Sequence, residues 1–265
     1  MSNNESTSFF LICSPITINY EKKHAEATLF LKKWTFSQHH LPITMVFEGI
    51  NQFACTLAMK LYPDDHSDFY VPNIIEDFDA NFDIKSSVVN ISGWAEECHG
   101  LCRVVCNIYD NVKGVNVSSA VVLVNKAHSY NQKKMLTAHD PDIKMWNIKS
   151  VPQRLDEVES FEFSFNIKHP LFREHFPGHP VVPGSMLFEI AFNQIYLRNP
   201  GMVSFKMEKI KFIRGVIPEC AYTLHLKKTR SSVRNSVIIS YIRDNKRYAS
   251  GKLLIESKIV DSSFE

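Results

Sequence analysis

The sequence predicts an α+β protein that contains the same unit twice, each unit an antiparallel sheet packed around one buried helix. Two long apolar segments, 44–61 and 185–197, have the composition of buried helices. A strand-like stretch precedes each segment and several follow it, in the same order in both halves. That order predicts a diverged internal duplication.

Both predicted helices are apolar on nearly every face, yet each carries one carboxylate in its first turns, Glu48 and Glu189. An exposed carboxylate at that position could be explained by the helix dipole, which contributes only ~0.3–1 kcal/mol. Burying a carboxylate costs several kcal/mol unless it is hydrogen-bonded or protonated. Its presence on an enclosed helix therefore favours a functional role.

The two helices also align with each other residue by residue. Identity is weak elsewhere, but four positions around the carboxylates match: Pro42 with Pro183, Met45 with Met186, Phe47 with Phe188 and Glu48 with Glu189. We expect an N-terminal unit over 1–130 and a C-terminal unit over 151–265. The polar, broken stretch 131–150 would connect them, with a short helix over 142–149 leading into the second unit.

The most specific motif runs from His175 to Glu189 and reads His-Phe-Pro-Gly-His-Pro-Val-Val-Pro-Gly-Ser-Met-Leu-Phe-Glu. Its prolines fix φ, and its glycines allow backbone geometry that a side chain would block. The histidine is therefore presented on a stiff loop beside a helix N-terminus, where N–H groups can polarise a carbonyl. This combination indicates acid–base chemistry on an acyl group.

This run resembles the active-site segment of the bacterial hot-dog β-hydroxyacyl-ACP dehydratases, whose loop reads His-Phe-Pro-Gly-x-Pro-x-x-Pro-Gly. Glu189 lies fourteen positions after His175, as that family's acid does. The resemblance covers about 30 residues. It implies a double hot-dog fold and elimination of water from a (3R)-3-hydroxyacyl thioester to give the trans-2-enoyl thioester. Fatty acid, polyketide or specialised lipid biosynthesis would be the setting.

In that family the histidine of one unit works with the acid of its partner unit. In a tandem chain the resemblance therefore implies that His175 works with Glu48 rather than with Glu189. Gln52 lies one helical turn beyond Glu48, where the family acid is commonly followed by a glutamine or histidine. The resemblance also implies that the Gly184 N–H is the oxyanion donor and that the Val181 carbonyl fixes the histidine tautomer. Gly178 would support the loop.

The reciprocal site would pair Glu189 with a histidine of the first half. That half lacks the proline-glycine loop, with roughly five residues missing between Gln38 and Pro42. We therefore expect one working site and one degenerate site, with His39 and His40 as loop residues.

Three other interpretations stay open. The chain could be a non-catalytic acyl-binding or stabilising subunit, although the intact loop argues against this. A hot-dog thioesterase would use a carboxylate and a water and would not need the loop. A dehydratase that also isomerises the double bond typically carries aspartate at the helix position, whereas this chain has glutamate in both halves.

Composition gives weaker limits. A net charge of +2 suggests neither nucleic acid nor an anionic membrane as partner. No apolar stretch approaches the ~20 residues that span a bilayer, and a cytoplasmic enzyme is expected. The basic run Lys206, Lys209, Lys211 and Arg214 would suit either an acidic partner or a solvated strand face.

No metal or dissociable cofactor is expected. Cys98, Cys102 and Cys106 are evenly spaced, which predicts one face of a single strand rather than a metal site. The resemblance implies a substrate carried on the phosphopantetheine of acyl carrier protein or of coenzyme A. Acyl carrier protein is the expected partner, and the internal pseudo-dimer could assemble into a homo-oligomer or a hetero-complex.

Overall fold

The computed structural model describes residues 11–31, 42–63, 69–81, 84, 86–127, 143–151, 157–175, 180–199, 202–230 and 235–257. The first half contains β1 (Thr17–Asn19), β2 (His24–Phe30), α1 (Ile43–Leu61), β3 (Phe69–Asn81), β4 (Val88–Cys98), β5 (Leu101–Asp110) and β6 (Val115–Ala127). The second half contains β7 (Trp146–Val151), β8 (Val158–Phe165), α2 (Leu171–Glu174), α3 (Gly184–Tyr196), β9 (Met202–Phe212), β10 (Tyr222–Arg230), β11 (Asn235–Arg243) and β12 (Lys246–Ser257).

All these strands form one 12-stranded antiparallel sheet in the order β1-β2-β4-β5-β6-β3-β9-β12-β11-β10-β8-β7. The two halves have the same strand order when each is followed from its outer edge to the centre of the sheet. In the second half this order is β7, β8, β10, β11, β12 and β9, which corresponds to β1, β2, β4, β5, β6 and β3 in the first half. The halves meet where β3 pairs with β9. The topology therefore contains the duplication that the sequence predicts.

The two long helices, α1 and α3, pack against each other at this junction. Each begins directly after a proline, Pro42 or Pro183. Proline suits this place because an N–H at a helix start would have no partner within the helix. The rings of Phe47 and Phe188 lie 5.0 Å apart between centroids. Phe78 from β3 contacts Phe47 at 5.2 Å, and the helices are thereby fixed to the seam of the sheet.

The helix predicted over 142–149 is wrong, because Trp146–Val151 forms β7 and pairs with β8. Trp146 packs its ring against Phe165 at 6.1 Å and is 5% exposed, so an edge strand buries it better than a free helix would. The sheet of the second unit thus begins inside the predicted connector. Residues 128–142 lie outside the described part of the chain.

The single strand expected to carry Cys98, Cys102 and Cys106 is also wrong. His99 and Gly100 adopt φ of 50° and 77° and form a two-residue turn between β4 and β5. Such turns need positive φ at both positions, which glycine supplies readily. Cys102 and Cys106 are buried on β5, Cys98 ends β4, and all six cysteines are free. No helix among the described residues is long and apolar enough to cross a membrane.

Candidate active site

A cavity of about 640 Å³ lies between the two halves of the chain. The first half contributes one face of α1, the start of β3 and the end of β6. The second half contributes His175, residues 181–183, Gly184 and Leu187 of α3, and the segment 212–216. Most of the lining is apolar, so charges inside it interact in a medium less polar than water.

His175 follows the short helix α2, and its backbone N–H donates to the carbonyl of Leu171 at 3.0 Å. Its ring Nδ1 lies 2.8 Å from the carbonyl oxygen of Val181. A carbonyl can only accept, so Nδ1 carries the hydrogen and Nε2 carries the lone pair. Burial lowers the pKa of the imidazole to about 4, against the opposing effect of the Val181 carbonyl. The ring is therefore a neutral base at neutral pH.

The loop that carries Val181 is held in place from the other side. The Val182 N–H donates to the carbonyl of Val216 at 2.7 Å. At Gly184 a Cβ would lie 2.5 Å from the ring of Phe212, so a side chain there would collide with the cavity wall. Gly184 begins α3, where N–H groups have no partner within the helix. Its N–H is therefore suited to an oxygen that gains negative charge.

Glu48 lies in α1, lines the same cavity and is only 5% exposed. Burial raises the pKa of its carboxyl to about 7, while the Ser185 hydroxyl and the Gln52 amide oppose the rise. The Gln52 Nε2 donates to Glu48 Oε1 at 2.9 Å. Because the pKa lies near neutrality, this carboxyl can give up a proton under ordinary conditions.

Glu189 occupies the corresponding position in α3, but it is 0% exposed and does not line the cavity. Asn193 donates from Nδ2 to Glu189 Oε1 at 3.1 Å, and the hydroxyl of Thr44 donates to Oε2. The structure therefore brings His175 together with Glu48 and leaves Glu189 in an enclosed hydrogen-bonded position. Three residues singled out in the sequence, Gly178, His39 and His40, lie outside the described residues.

Two residues beside the carboxylate were not predicted from the sequence. Asn51 lines the cavity, is 6% exposed, and its Oδ1 has no hydrogen-bond partner among the described residues. An amide on a helix that is otherwise apolar all round was the available signal. Ser185 aligns with Thr44 at the helix start, and that alignment could have placed its hydroxyl opposite Glu48.

The cavity thus offers a neutral imidazole, a protonatable carboxyl and N–H groups at a helix start. Within the described part of the chain, no three His, Cys, Asp or Glu side chains are grouped so that they could hold a metal ion. The imidazole can take a proton from one carbon of a substrate, and the carboxyl can give a proton to a group on the neighbouring carbon. The N–H groups can meanwhile polarise a carbonyl oxygen.

The raised pKa of Glu48 has a consequence for stability. The carboxyl binds its proton more tightly in the folded state, at a pKa of about 7, than in the unfolded chain, near 4.5. Folding stability is therefore lost as pH rises through this range. We expect Glu48→Gln to raise the free energy of unfolding by about 3 kcal/mol at pH 8.5 and by less than about 1 kcal/mol at pH 5. Urea unfolding at both pH values checks this, and an equal difference at the two would contradict it.

The chain is similar in sequence to named dehydratases. The family model of the ApeI-like dehydratases, described as ApeI dehydratase, matches residues 153–252. A 3-hydroxyacyl-[acyl-carrier-protein] dehydratase FabZ from Nitratiruptor sp. is 29% identical over 110 residues, covering 36% of this chain and 70% of the relative. The FabZ of Campylobacter curvus is 28% identical over 109 residues, covering 35% of this chain and 69% of the relative.

Solved structures resemble the whole chain. The acyl-CoA thioesterase II TesB2 of Mycobacterium marinum has a TM-score of 0.51 at 11% identity, covering 92% of this chain and 96% of that one. A dehydratase-cyclase domain of ambruticin biosynthesis has a TM-score of 0.51 at 8% identity, covering 93% and 95%. At such identities these likenesses concern the fold alone, and the predicted double hot-dog fold is confirmed.

Proposed function

We propose that this chain, whose C-terminal half belongs to the hot-dog hydroxyacyl-ACP dehydratase family, removes water from a (3R)-3-hydroxyacyl thioester to give the trans-2-enoyl thioester. One observation carries the proposal. His175, a neutral base with its lone pair on Nε2, lines the same cavity as Glu48, a carboxyl that is about half protonated near pH 7.

In the proposed reaction, His175 Nε2 takes the proton from the carbon next to the thioester carbonyl. The electron pair of that C–H bond forms the new C=C bond as the bond between C3 and its hydroxyl breaks. Glu48 gives its proton to the departing hydroxyl, and water leaves. The Gly184 N–H stabilises the thioester oxygen while it carries negative charge.

After this step the imidazole holds one extra proton and the carboxylate lacks one. The pKa values of about 4 and about 7 favour return of the proton from His175 to Glu48. The resting pair is thereby restored without any other reactant. The same groups in reverse would hydrate an enoyl thioester, so the concentrations of substrate and product set the direction.

The substrate is proposed to arrive on the phosphopantetheine of acyl carrier protein or of coenzyme A, and no dissociable cofactor is required. Lys126 and Arg214 line the cavity and are exposed, as a phosphate or an acidic partner would need. Lys206, of the same basic run, does not line the cavity and is paired with Asp77 at 2.8 Å where β3 and β9 meet. Fatty acid or specialised lipid synthesis is the proposed setting.

The direct test is incubation of the purified chain with a (3R)-3-hydroxyacyl-carrier-protein, followed by mass spectrometry of the intact acylated carrier. Loss of one water from the acyl group is the expected result. Loss of the whole acyl group would identify a thioesterase. An unchanged carrier, with the acyl chain retained in complex with the protein, would identify a non-catalytic acyl-binding subunit.

The proposal also fixes the pH dependence. Activity needs a neutral His175 ring and a protonated Glu48 carboxyl. We therefore expect kcat/KM to rise through a pKa of about 4, as the imidazole deprotonates, and to fall through a pKa of about 7, as the carboxyl ionises. A stopped assay over pH 3.5–9 measures both limbs. Activity that keeps rising to pH 9 would exclude Glu48 as the acid.

A further inference from the structure

We propose that the N-terminal segment, residues 12–14, sets which oxygen of Glu48 carries the acidic proton. The backbone N–H groups of Ile12 and Cys13 orient the Gln52 amide so that Glu48 bears its proton on Oε2. Only the catalytic use of this proton depends on the proposed function.

The hydrogen bonds around Gln52 leave one orientation of its amide. The N–H groups of Ile12 and Cys13 both donate to Gln52 Oε1, at 2.9 Å and 3.1 Å. With the oxygen fixed there, Nε2 points to Glu48 Oε1 at 2.9 Å. An amide nitrogen only donates, so Glu48 Oε1 must accept. The carbonyl oxygen of a neutral carboxyl is a stronger acceptor than its hydroxyl oxygen, so the proton is held on Oε2.

The N-terminal segment is held independently of Gln52. Phe30 donates its N–H to the Ile12 carbonyl at 2.9 Å, and Ser14 donates its N–H to the Thr28 carbonyl at 2.8 Å. Ile12 is 1% exposed and Cys13 is 6% exposed. The two donors to Gln52 are therefore fixed by pairing with β2, and they impose an orientation on the amide.

The enclosed site in the other half lacks this arrangement. Asn193 donates to Glu189 Oε1, but its own Oδ1 has no hydrogen-bond partner among the described residues. Glu189 Oε2 is occupied by the Thr44 hydroxyl. The equivalent hydroxyl near Glu48 is that of Ser185, which lies close enough to the carboxyl to lower its pKa. Of the two carboxyls, Glu48 combines an anchored amide with access to the cavity.

Loss of the two donors would let the amide turn its oxygen toward Glu48. That oxygen would accept the carboxyl proton, which would move to Oε1 and away from the cavity. Other groups near Glu48 do not interfere at neutral pH. Burial raises the pKa of the Cys55 thiol far above neutrality, His175 is uncharged above a pKa of about 4, and Ser185 does not titrate.

The test is a ¹³C NMR titration of the Glu48 carboxyl carbon, assigned by its loss in Glu48→Gln. The double variant Ile12→Pro/Cys13→Pro removes both donors to Gln52, and proline suits an extended backbone. Ser14→Ala is the control, because it changes the same segment and keeps all its backbone N–H groups. In the double variant we expect the Glu48 midpoint to rise by about half a pH unit or more, since a bond to the neutral form now replaces one to the charged form.

Ser14→Ala should leave the midpoint where it is in the wild type. If the double variant does not fold, Ile12→Pro and Cys13→Pro should each give part of the rise. An unchanged midpoint in the donor variants, or an equal rise in Ser14→Ala, would overturn the proposal. The titration needs no substrate, so a chain that lacks dehydratase activity would fail the turnover assay and still answer this question.

Discussion

His175→Ala is expected to lower kcat for dehydration by about 10³-fold, within the range of about 10²–10⁴ that general acid–base groups contribute. The variant removes the only imidazole among the cavity-lining residues that the structure describes. The backbone N–H of residue 175 can still donate to the Leu171 carbonyl, so the end of α2 should persist. KM should change little, because the ring is proposed to act on one C–H bond.

A second histidine provides the control. His169 is 6% exposed, and burial lowers the pKa of its ring to about 4, but it does not line the cavity. His169→Gln should keep kcat within a few-fold of wild type. Added imidazole should restore part of the activity of His175→Ala, because the vacated space adjoins the cavity. Equal losses in the two histidine variants, without rescue, would point to a folding defect and remove His175 from the mechanism.

Much of this architecture could be predicted from the sequence because it depends on long, regular signals. The apolar helices around Glu48 and Glu189, and the strands that follow them, carry enough hydrophobic periodicity to define both units. The loop after His175 is informative for another reason. Proline and glycine restrict the backbone locally, so a short run of them specifies a geometry without reference to distant residues.

The errors have two causes, a pairing partner distant in sequence and a local turn. Trp146 enters a strand because β8 offers it Phe165 as a neighbour. Cys98 and Cys102 fall on different strands because His99 and Gly100 adopt positive φ and turn the chain. Similarly, the contact between the backbone of Ile12 and Gln52 joins residues 40 apart, and backbone donors leave no mark on a sequence.

The two glutamates show how a duplicated site can diverge while the helix around it is kept. Glu48 and Glu189 both accept a hydrogen bond from an amide one helical turn further along. They differ in access, since Glu48 faces the cavity whereas Glu189 is enclosed and hydrogen-bonded to Thr44. Glu189 stays buried with both carboxyl oxygens hydrogen-bonded. Removing one of those partners would leave a buried polar group unpaired, which lowers the free energy of unfolding.

This difference leads to an expected contrast between two matched variants. Glu48→Gln should lower kcat by about 10²-fold or more, because a glutamine cannot protonate the leaving hydroxyl. Glu189→Gln should stay within a few-fold of wild type. In that variant the new side chain can still accept from Asn193 through its oxygen and can donate to the Thr44 hydroxyl through its nitrogen.

The same substitution is thus made at equivalent positions of two aligned helices, and only access to the cavity differs. Measured kcat values on one 3-hydroxyacyl-carrier-protein, with KM and unfolding midpoints recorded for each variant, separate chemistry from stability. Glu48→Gln should be slow although it is at least as stable as wild type at neutral pH. A severe loss in Glu189→Gln alone would assign the acid to α3, and the pairing of His175 with Glu48 would then be wrong.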